Sequence, residues 1–394
     1  MQNNGNSKTL EIFEARALPR RRRGWVGLYH VALTIAVGAC GGSDAAVMTD
    51  LPATDTALCV ALGADYRNNV GTMAVVGLPS LTVIKDMVPN AISGDPVMRL
   101  YGRKLYVVNR SVNNVTIIDP TTKPWSVEAQ FSTGDNSNPQ DVALAGTRAY
   151  VPLYNKKDVQ VWELGGGTPT APVASVDLAS YDEDGVPNAN SVVVHDGRAY
   201  VTLDLLDTQM FPQPRGKGKV AVIDTATNQV ATTLELQYTN PYDFMVVRGD
   251  RLIVSTFADF SGTLGCLEQI VPGAQPRVES CLVENTAVMG VINSIAVGPT
   301  ETYLAVSAFD ADFNQTAQLR RVNASGTLMP NAMTPEAHIP TDVAYSPSGH
   351  LVYSDVAGGG IRVLDATTGT ELTTTALDIG LTPATANAIA CLTL

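Results

Sequence analysis

The sequence predicts an all-β fold, a seven-bladed β-propeller closed by three N-terminal strands plus one C-terminal strand. Three observations predict it. From about residue 57 the chain reads as short apolar strands with turn signals at close intervals and no helical period. One phrase recurs along this stretch, the mark of a repeat architecture. The two ends of the stretch carry incomplete repeats that complete each other.

The phrase is a Gly or polar turn, an aromatic-apolar strand, a variable loop, and a branched strand ending in an acid. Gly102-Arg103-Lys104-Leu105-Tyr106-Val107-Val108 leads to Val115-Thr116-Ile117-Ile118-Asp119. Arg148-Ala149-Tyr150-Val151 leads to Val159-Gln160-Val161-Trp162-Glu163, and Arg198-Ala199-Tyr200-Val201 to Val220-Ala221-Val222-Ile223-Asp224. Leu351-Val352-Tyr353 leads to Ile361-Arg362-Val363-Leu364-Asp365. Looser copies begin at Arg251 and Tyr303.

Innermost strands are expected to begin near Val97, Asp141, Ser191, Asp243, Ser294 and Asp342, about 44–52 residues apart, which gives six blades of four strands. Three strands precede them, near Leu58–Leu62, Thr72–Val76 and Leu81–Met87, and one follows, near Thr385–Leu392. Together these four make a seventh blade and zip the ring shut, leaving short, protected edges.

The repeats resemble the YVTN family of propeller repeats, in which a "YV" strand is followed by a "VID-T" strand and turn. Asp224-Thr225-Ala226-Thr227-Asn228 and Asp365-Ala366-Thr367-Thr368-Gly369 fit that turn. The resemblance covers residues 57–394. It is strong in blades two, three, four and seven and loose in five and six.

Residues 1–39 read as a signal peptide. Arg20 to Arg23 precede an apolar run from Trp25 to Val37, too short to span a bilayer as a helix. Val37-Gly38-Ala39-Cys40 resembles the bacterial lipobox. That resemblance implies a diacylglyceryl thioether on Cys40 and a bilayer as partner. Gly41 at the next position, by resemblance to sorting patterns, implies the outer membrane. Residues 40–56 are expected to be a lipidated tether.

Assigning Cys40 to lipid leaves four of the five cysteines. Cys59 is expected on the second strand of the closing blade and Cys391 on its innermost strand, so the two fall within disulfide reach. Cys266 and Cys281 are expected on the two outer strands of blade five. The alternative is four buried thiols, which an oxidising compartment disfavours.

Residues 1–39 hold six of the 26 Lys and Arg and two of the 38 Asp and Glu, so the mature chain carries about −16. Such a surface repels phosphate backbones and excludes nucleic acid as an expected partner.

In propellers the loops between the second and third strands (B–C) and between blades (D–A) share one face, around the channel mouth. The mouth should be lined by Gln140, Asn190, Tyr242, Asn293, Thr341 and Asn387. Asp204, Asp259, Asp310, Asp312 and Asp355 stand in the B–C loops with Asn113, Asp158 and Asp207. The D–A loops add Asp135, Asp182, Glu183, Asp184 and Asn285, and aromatics such as Tyr154, Tyr181, Phe211, Phe260, Phe309 and Phe313 dot the face. Asp204 to Lys219 is the longest B–C loop, either a binding element or a tolerated insertion.

No cofactor is expected. Asp310-x-Asp312-x-Asn314 opens like a calcium loop but has Gln315 where a Gly is needed and Arg321 where a Glu is needed. The three mature histidines, His195, His338 and His350, fall on opposite faces and cannot converge on a metal or nucleophile. No Gly-x-Ser-x-Gly, zinc spacing or phosphate loop appears.

These features favour a lipid-anchored envelope binding or scaffold protein. It would present an acidic, aromatic-dotted loop face to a ligand or protein partner, without catalysis. The alternative is a propeller enzyme, a lactonase-like hydrolase or cofactor-dependent dehydrogenase, with its site at the channel mouth. A third reading is an envelope assembly factor working through blade edges.

Overall fold

The computed structural model describes residues 47, 49–207, 213–242, 244–258, 264–310, 312, 314–385 and 387–394. Cys40 and the signal segment, Phe211, Asp243, Asp259, Phe260 and Phe313 lie outside these.

Seven antiparallel sheets form the blades. Blade one runs, inner to outer, Ile389–Thr393, Ala57–Asp65, Val70–Leu78 and Val83–Ile84. Its inner strand comes from the C-terminus and the other three from the N-terminus, so the expected closure holds. Blade two runs Pro96–Tyr101, Lys104–Asn109, Asn114–Asp119 and Ser126–Ser132. Blade three runs Ala143–Ala145, Arg148–Pro152, Asp158–Glu163 and Ala174–Asp177. Blade four runs Ala189–His195, Arg198–Leu203, Lys219–Asp224 and Gln229–Glu235. Blade five runs Val246–Arg248, Arg251–Phe257, Gly265–Val271 and Arg277–Val278, with Val283–Glu284 also on the third strand.

Blades six and seven depart from the expected four strands. Blade six has Val291–Val297, Glu301–Phe309 and Gln315–Asn323, and blade seven has Pro340–Tyr345, His350–Asp355 and Gly360–Asp365. Their outer edges are reduced to single bridges, Val322 to Leu328, Ile361 to Leu377 and Leu364 to Glu371. The segments here carry Gly326, Pro330, Pro335, Gly369, Gly380 and Pro383, and Pro and Gly weaken a regular ladder.

The middle strands are buried on both faces, because each blade is sandwiched between two others. Leu105 to Val108 and Tyr150 to Val151 are all buried, which is why they read as continuous apolar runs rather than alternating ones. The core is a set of layers between blades. One layer joins Leu58, Val60 and Leu62 to Met98, Leu105 and Val107 between blades one and two. Another joins Cys59, Ala61 and Cys391 to Ala344, Val352 and Ile361 between blades seven and one.

The repeated Tyr and the repeated turn are partners across these layers. Tyr150 donates to Asn228 Oδ1 in the blade-four turn at 2.6 Å. Tyr200 accepts the Gly273 N–H from blade five, and Tyr303 donates to the Ala366 carbonyl of blade seven. Within the turn, Asp224 Oδ1 accepts the Ala226 and Thr227 amides and the Thr227 hydroxyl. Asp365 does the same for Thr367 and Thr368. Asn228 and Gly369 then take the left-handed conformation that ends the turn, with φ of 54° and 72°.

Both disulfides form. Cys59 and Cys391 face each other in register across the closure, with Cα atoms 4.0 Å apart. Cys266 on the third strand of blade five bonds Cys281. Cys281 itself sits between two short strands rather than on one, a small correction.

The tether also needs correction. Part of this stretch is docked: Val47 is buried in the layer between blades one and two, and Asp50 pairs with Lys123. Asp55 accepts both the amide and hydroxyl of Ser80, at 2.8 and 2.7 Å.

Candidate functional site at the channel mouth

The inner strands are locked to one another at a common level. Asp141 of blade three takes the Arg99 guanidinium of blade two through Nε and Nη2, at 2.8 and 2.6 Å. It also accepts the Ser191 hydroxyl and Val192 amide of blade four. Ser191 Oγ in turn accepts the Met245 amide of blade five. Ser294 of blade six accepts the Val343 amide and donates to Asp342 of blade seven. Asp342 accepts the Ala388 and Ile389 amides of blade one, and Asn387 accepts the Met98 amide of blade two through its carbonyl. The strand starts expected at Asp141, Ser191, Ser294 and Asp342 are thus the clasps of the ring.

Directly before each clasp stands a residue expected at the mouth. In blades four, six and seven an extra residue bulges the inner strand at this point. There Asn190 donates to Asp204 at 3.2 Å, Asn293 donates to Ser307, and Thr341 shares a 2.8 Å hydrogen bond with Ser354. Gln140 accepts from Arg110 at 3.3 Å and donates to Asn138. Arg110 is buried and also pairs with Asp95 at 2.5 Å. Tyr242 turns into an apolar cluster with Phe257 and Val291, its ring 4.7 Å from the Phe257 ring at 84°. All six expected lining residues are buried at the inner ends of their blades.

Three of these blades carry buried polar atoms that lack a partner among the described residues. Near the mouth they are Asn190 Oδ1, Ser255 Oγ, and both amide atoms of Asn387, whose backbone is left-handed at φ 51°; Asp182 Oδ2, Asn285 Oδ1, Gln315 Nε2 and Arg320 Nε are further such atoms elsewhere in the ring.

Asp204 is the acid of this region. It is 0 % exposed. Burial drives its carboxyl well above the usual carboxylate range, opposed by hydrogen bonds from Asn190 and Tyr154. The two ends of the long loop after it, on either side of residues 208–212, pair with each other. Leu206–Asp207 pairs antiparallel with Gln213–Pro214, as an insertion in blade four. Arg215 pins this strand pair to Asp182 and Asp184 at 3.1 and 3.0 Å. The acidic D–A loop therefore holds the insertion in place rather than presenting a bare acidic surface.

Other expected acids do not join the mouth. Asp355 is buried and clamped by Arg362 at 2.6 Å and the Ile339 amide. Burial raises it, but these donors outweigh burial and leave it below the ordinary range. Asp310 folds onto its own loop. The Asn314 side chain and the Asn314 and Asp312 amides hold its carboxylate low, so its oxygens already have donors. Asp312 is exposed, and Asp259 lies outside the described residues. The calcium-like loop thus holds itself together through hydrogen bonds.

His338 shares a 2.9 Å hydrogen bond with Tyr353 and lies 3.7 Å from Glu371, in a blade-seven network with Arg362. Among the described residues one group of three candidate metal ligands occurs, Cys266, Cys281 and Glu284, and its two sulfurs are bonded to each other.

Solved structures share this architecture. A Bacteroides uniformis protein provisionally named a 6-phosphogluconolactonase aligns with a TM-score of 0.63 at 14% identity, over 86% of this chain and 100% of that one. A similarly named Bacteroides fragilis protein gives 0.61 at 12% identity, over 87% and 100%. The Pseudomonas aeruginosa periplasmic gluconolactonase gives 0.56 at 14% identity, over 86% and 99%. What they share with this chain is the seven-bladed β-propeller fold. No protein family and no curated protein matches the chain.

Arg110, Arg99 and Ser255 were not legible as site or clasp residues in the sequence. Arg110 directly follows the second strand of blade two, the place that Asp204 holds in blade four. A comparison of repeats at that one position would have found it.

Proposed function

We propose that this chain is a propeller hydrolase that opens a small, hydroxylated lactone ring at the channel mouth. The observation that carries the reading is the set of buried polar atoms at Asn190, Ser255 and Asn387 that lack a partner among the described residues. Buried polar atoms are satisfied by water or by a ligand. These are neutral donors and acceptors, suited to the hydroxyls of an uncharged sugar-like ring.

Asp204 beside Asn190 supplies the acid–base group. As a water oxygen attacks the lactone carbonyl, Asp204 takes its proton. The ring C–O bond breaks, and the proton passes to the departing ring oxygen, leaving a hydroxy acid. A carboxyl raised by burial is suited to both transfers. Fold neighbours named as lactonases support the choice of substrate class. The same reading keeps YVTN-type repeats, lipid on Cys40 and the outer membrane as the address. Two disulfides support an oxidising compartment.

The test is hydrolysis of a panel of aldonolactones followed by proton release. The native protein should act on at least one. Asp204→Asn should lose on the order of 10²–10⁴-fold in rate while keeping its thermal transition. A panel on which the native protein only binds, without turnover, would return the chain to the binding-protein reading.

A further inference from the structure

We propose that the propeller stands on its lipid anchor with the face of tight turns toward the bilayer and the channel mouth away from it. This rests on the reading that Cys40 carries lipid.

The path of the chain sets the direction. Within each blade the A–B and C–D turns lie at one end of the strands, and the B–C and D–A loops at the other. The segment entering blade one is fixed at the turn end. Asp50 pairs with Lys123 in the C–D turn of blade two. Asp55 holds Ser80 in the C–D turn of blade one, and the Thr56 amide donates to the Leu78 carbonyl beside it. Leu51 lies against Gly77 at the same end, so closely that a Cβ there would meet Leu51 and Asp55. Val47, three residues before Asp50, is buried in the layer between blades one and two.

Length then limits the alternatives. Only residues 41–46 separate the acylated Cys from Val47, and fully extended they reach about 25 Å. The second strand of blade one, Ala57–Asp65, covers about 26 Å from turn end to loop end, and a path round the rim adds the width of the blade to that. The anchor is too short to pass round the rim and lay the mouth on the bilayer.

Charge agrees with this placement. Arg103, Lys123, Arg148, Arg198, Arg251 and Arg321 stand at the turn end and offset the acids there. Asp135, Asp158, Glu183, Asp310 and Asp312 stand at the loop end, where acids exceed bases even with Asp184 and Asp207 paired to Arg215. An anionic lipid surface repels the loop end and tolerates the turn end.

The experiment uses the full-length lipoprotein, purified from membranes and reconstituted into phosphatidylethanolamine and phosphatidylglycerol vesicles. One fluorophore is placed at Ala226→Cys in the blade-four turn, another at Glu183→Cys in the loop leading into blade four; both native residues are exposed. Spin-labelled lipid should quench the Ala226 label several-fold more than the Glu183 label, and mass spectrometry should find the Cys40 peptide acylated. An acylated peptide with equal or reversed quenching overturns the placement alone. A Cys40 peptide without lipid overturns the anchor and the placement together. The lactone assay is independent of both results.

Discussion

The Asp342 carboxylate accepts a hydrogen bond from the Ala388 amide nitrogen at 2.8 Å, and so ties blade seven to the C-terminal strand of blade one. It also takes the Ile389 and Val343 amides and the Ser294 hydroxyl. One acid therefore links three blades at the point where the ring closes.

Burial raises Asp342 to about 7 from 3.8, in spite of those four donors. The folded protein then binds more protons at this site than the unfolded chain. Its contribution to stability is complete below about pH 4 and is lost as pH rises through about 7. The full effect is on the order of 4 kcal/mol. Denaturant midpoints of native protein and Asp342→Asn, followed from pH 4 to 8, should show the native protein losing stability relative to the variant. Parallel curves would remove Asp342 as the source.

Arg99 and Asp141 form a buried bidentate pair, and Arg99 also lies over the Phe244 ring at 4.0 Å. Arg99→Met leaves the Asp141 charge buried without its cation, at a cost of about 3 kcal/mol. Ser occupies the same place in blades four and six, so adding Asp141→Ser should recover much of the loss. Urea denaturation of the single and double variants checks this. A double variant no better than the single would show that the charge is not what costs.

The Cys59–Cys391 bond closes a loop spanning 332 residues. In the chain-entropy model it contributes roughly 6 kcal/mol. The Cys59→Ala/Cys391→Ala protein should unfold at markedly lower denaturant, and non-reducing peptide mapping of the native protein should find the two peptides joined. Cys266–Cys281 closes a shorter loop and should contribute about 3 kcal/mol.

Tyr150→Phe removes the hydroxyl that reaches Asn228 and the Thr225 carbonyl in the next blade. The expected loss is about 1 kcal/mol, read as a small fall in thermal midpoint without change in secondary structure. No fall at all would mean that water replaces the hydroxyl fully.

The repeat phrase, the closure and both cysteine pairs are determined by the sequence alone. The reason is that a blade sandwiched between neighbours needs apolar residues on both faces of its middle strands, and this need recurs at every blade. The turn Asp and the buried Tyr are equally repeated because each blade must meet the next in the same way. Tertiary structure decided what the polar residues do. Asp141 and Asp355 look alike as acids near strand ends, yet one clasps the ring and the other is clamped within its blade. Asp204 became a buried acid with its carboxyl raised only because its neighbours are Asn190 on the adjoining strand of its own blade and Tyr154 of blade three rather than a cation. The contacts of Val47, Asp50 and Asp55 with the ring were equally unreadable, since a short polar stretch looks the same whether free or tied down. Such roles depend on which blade stands next to which, and that is fixed only when the ring closes.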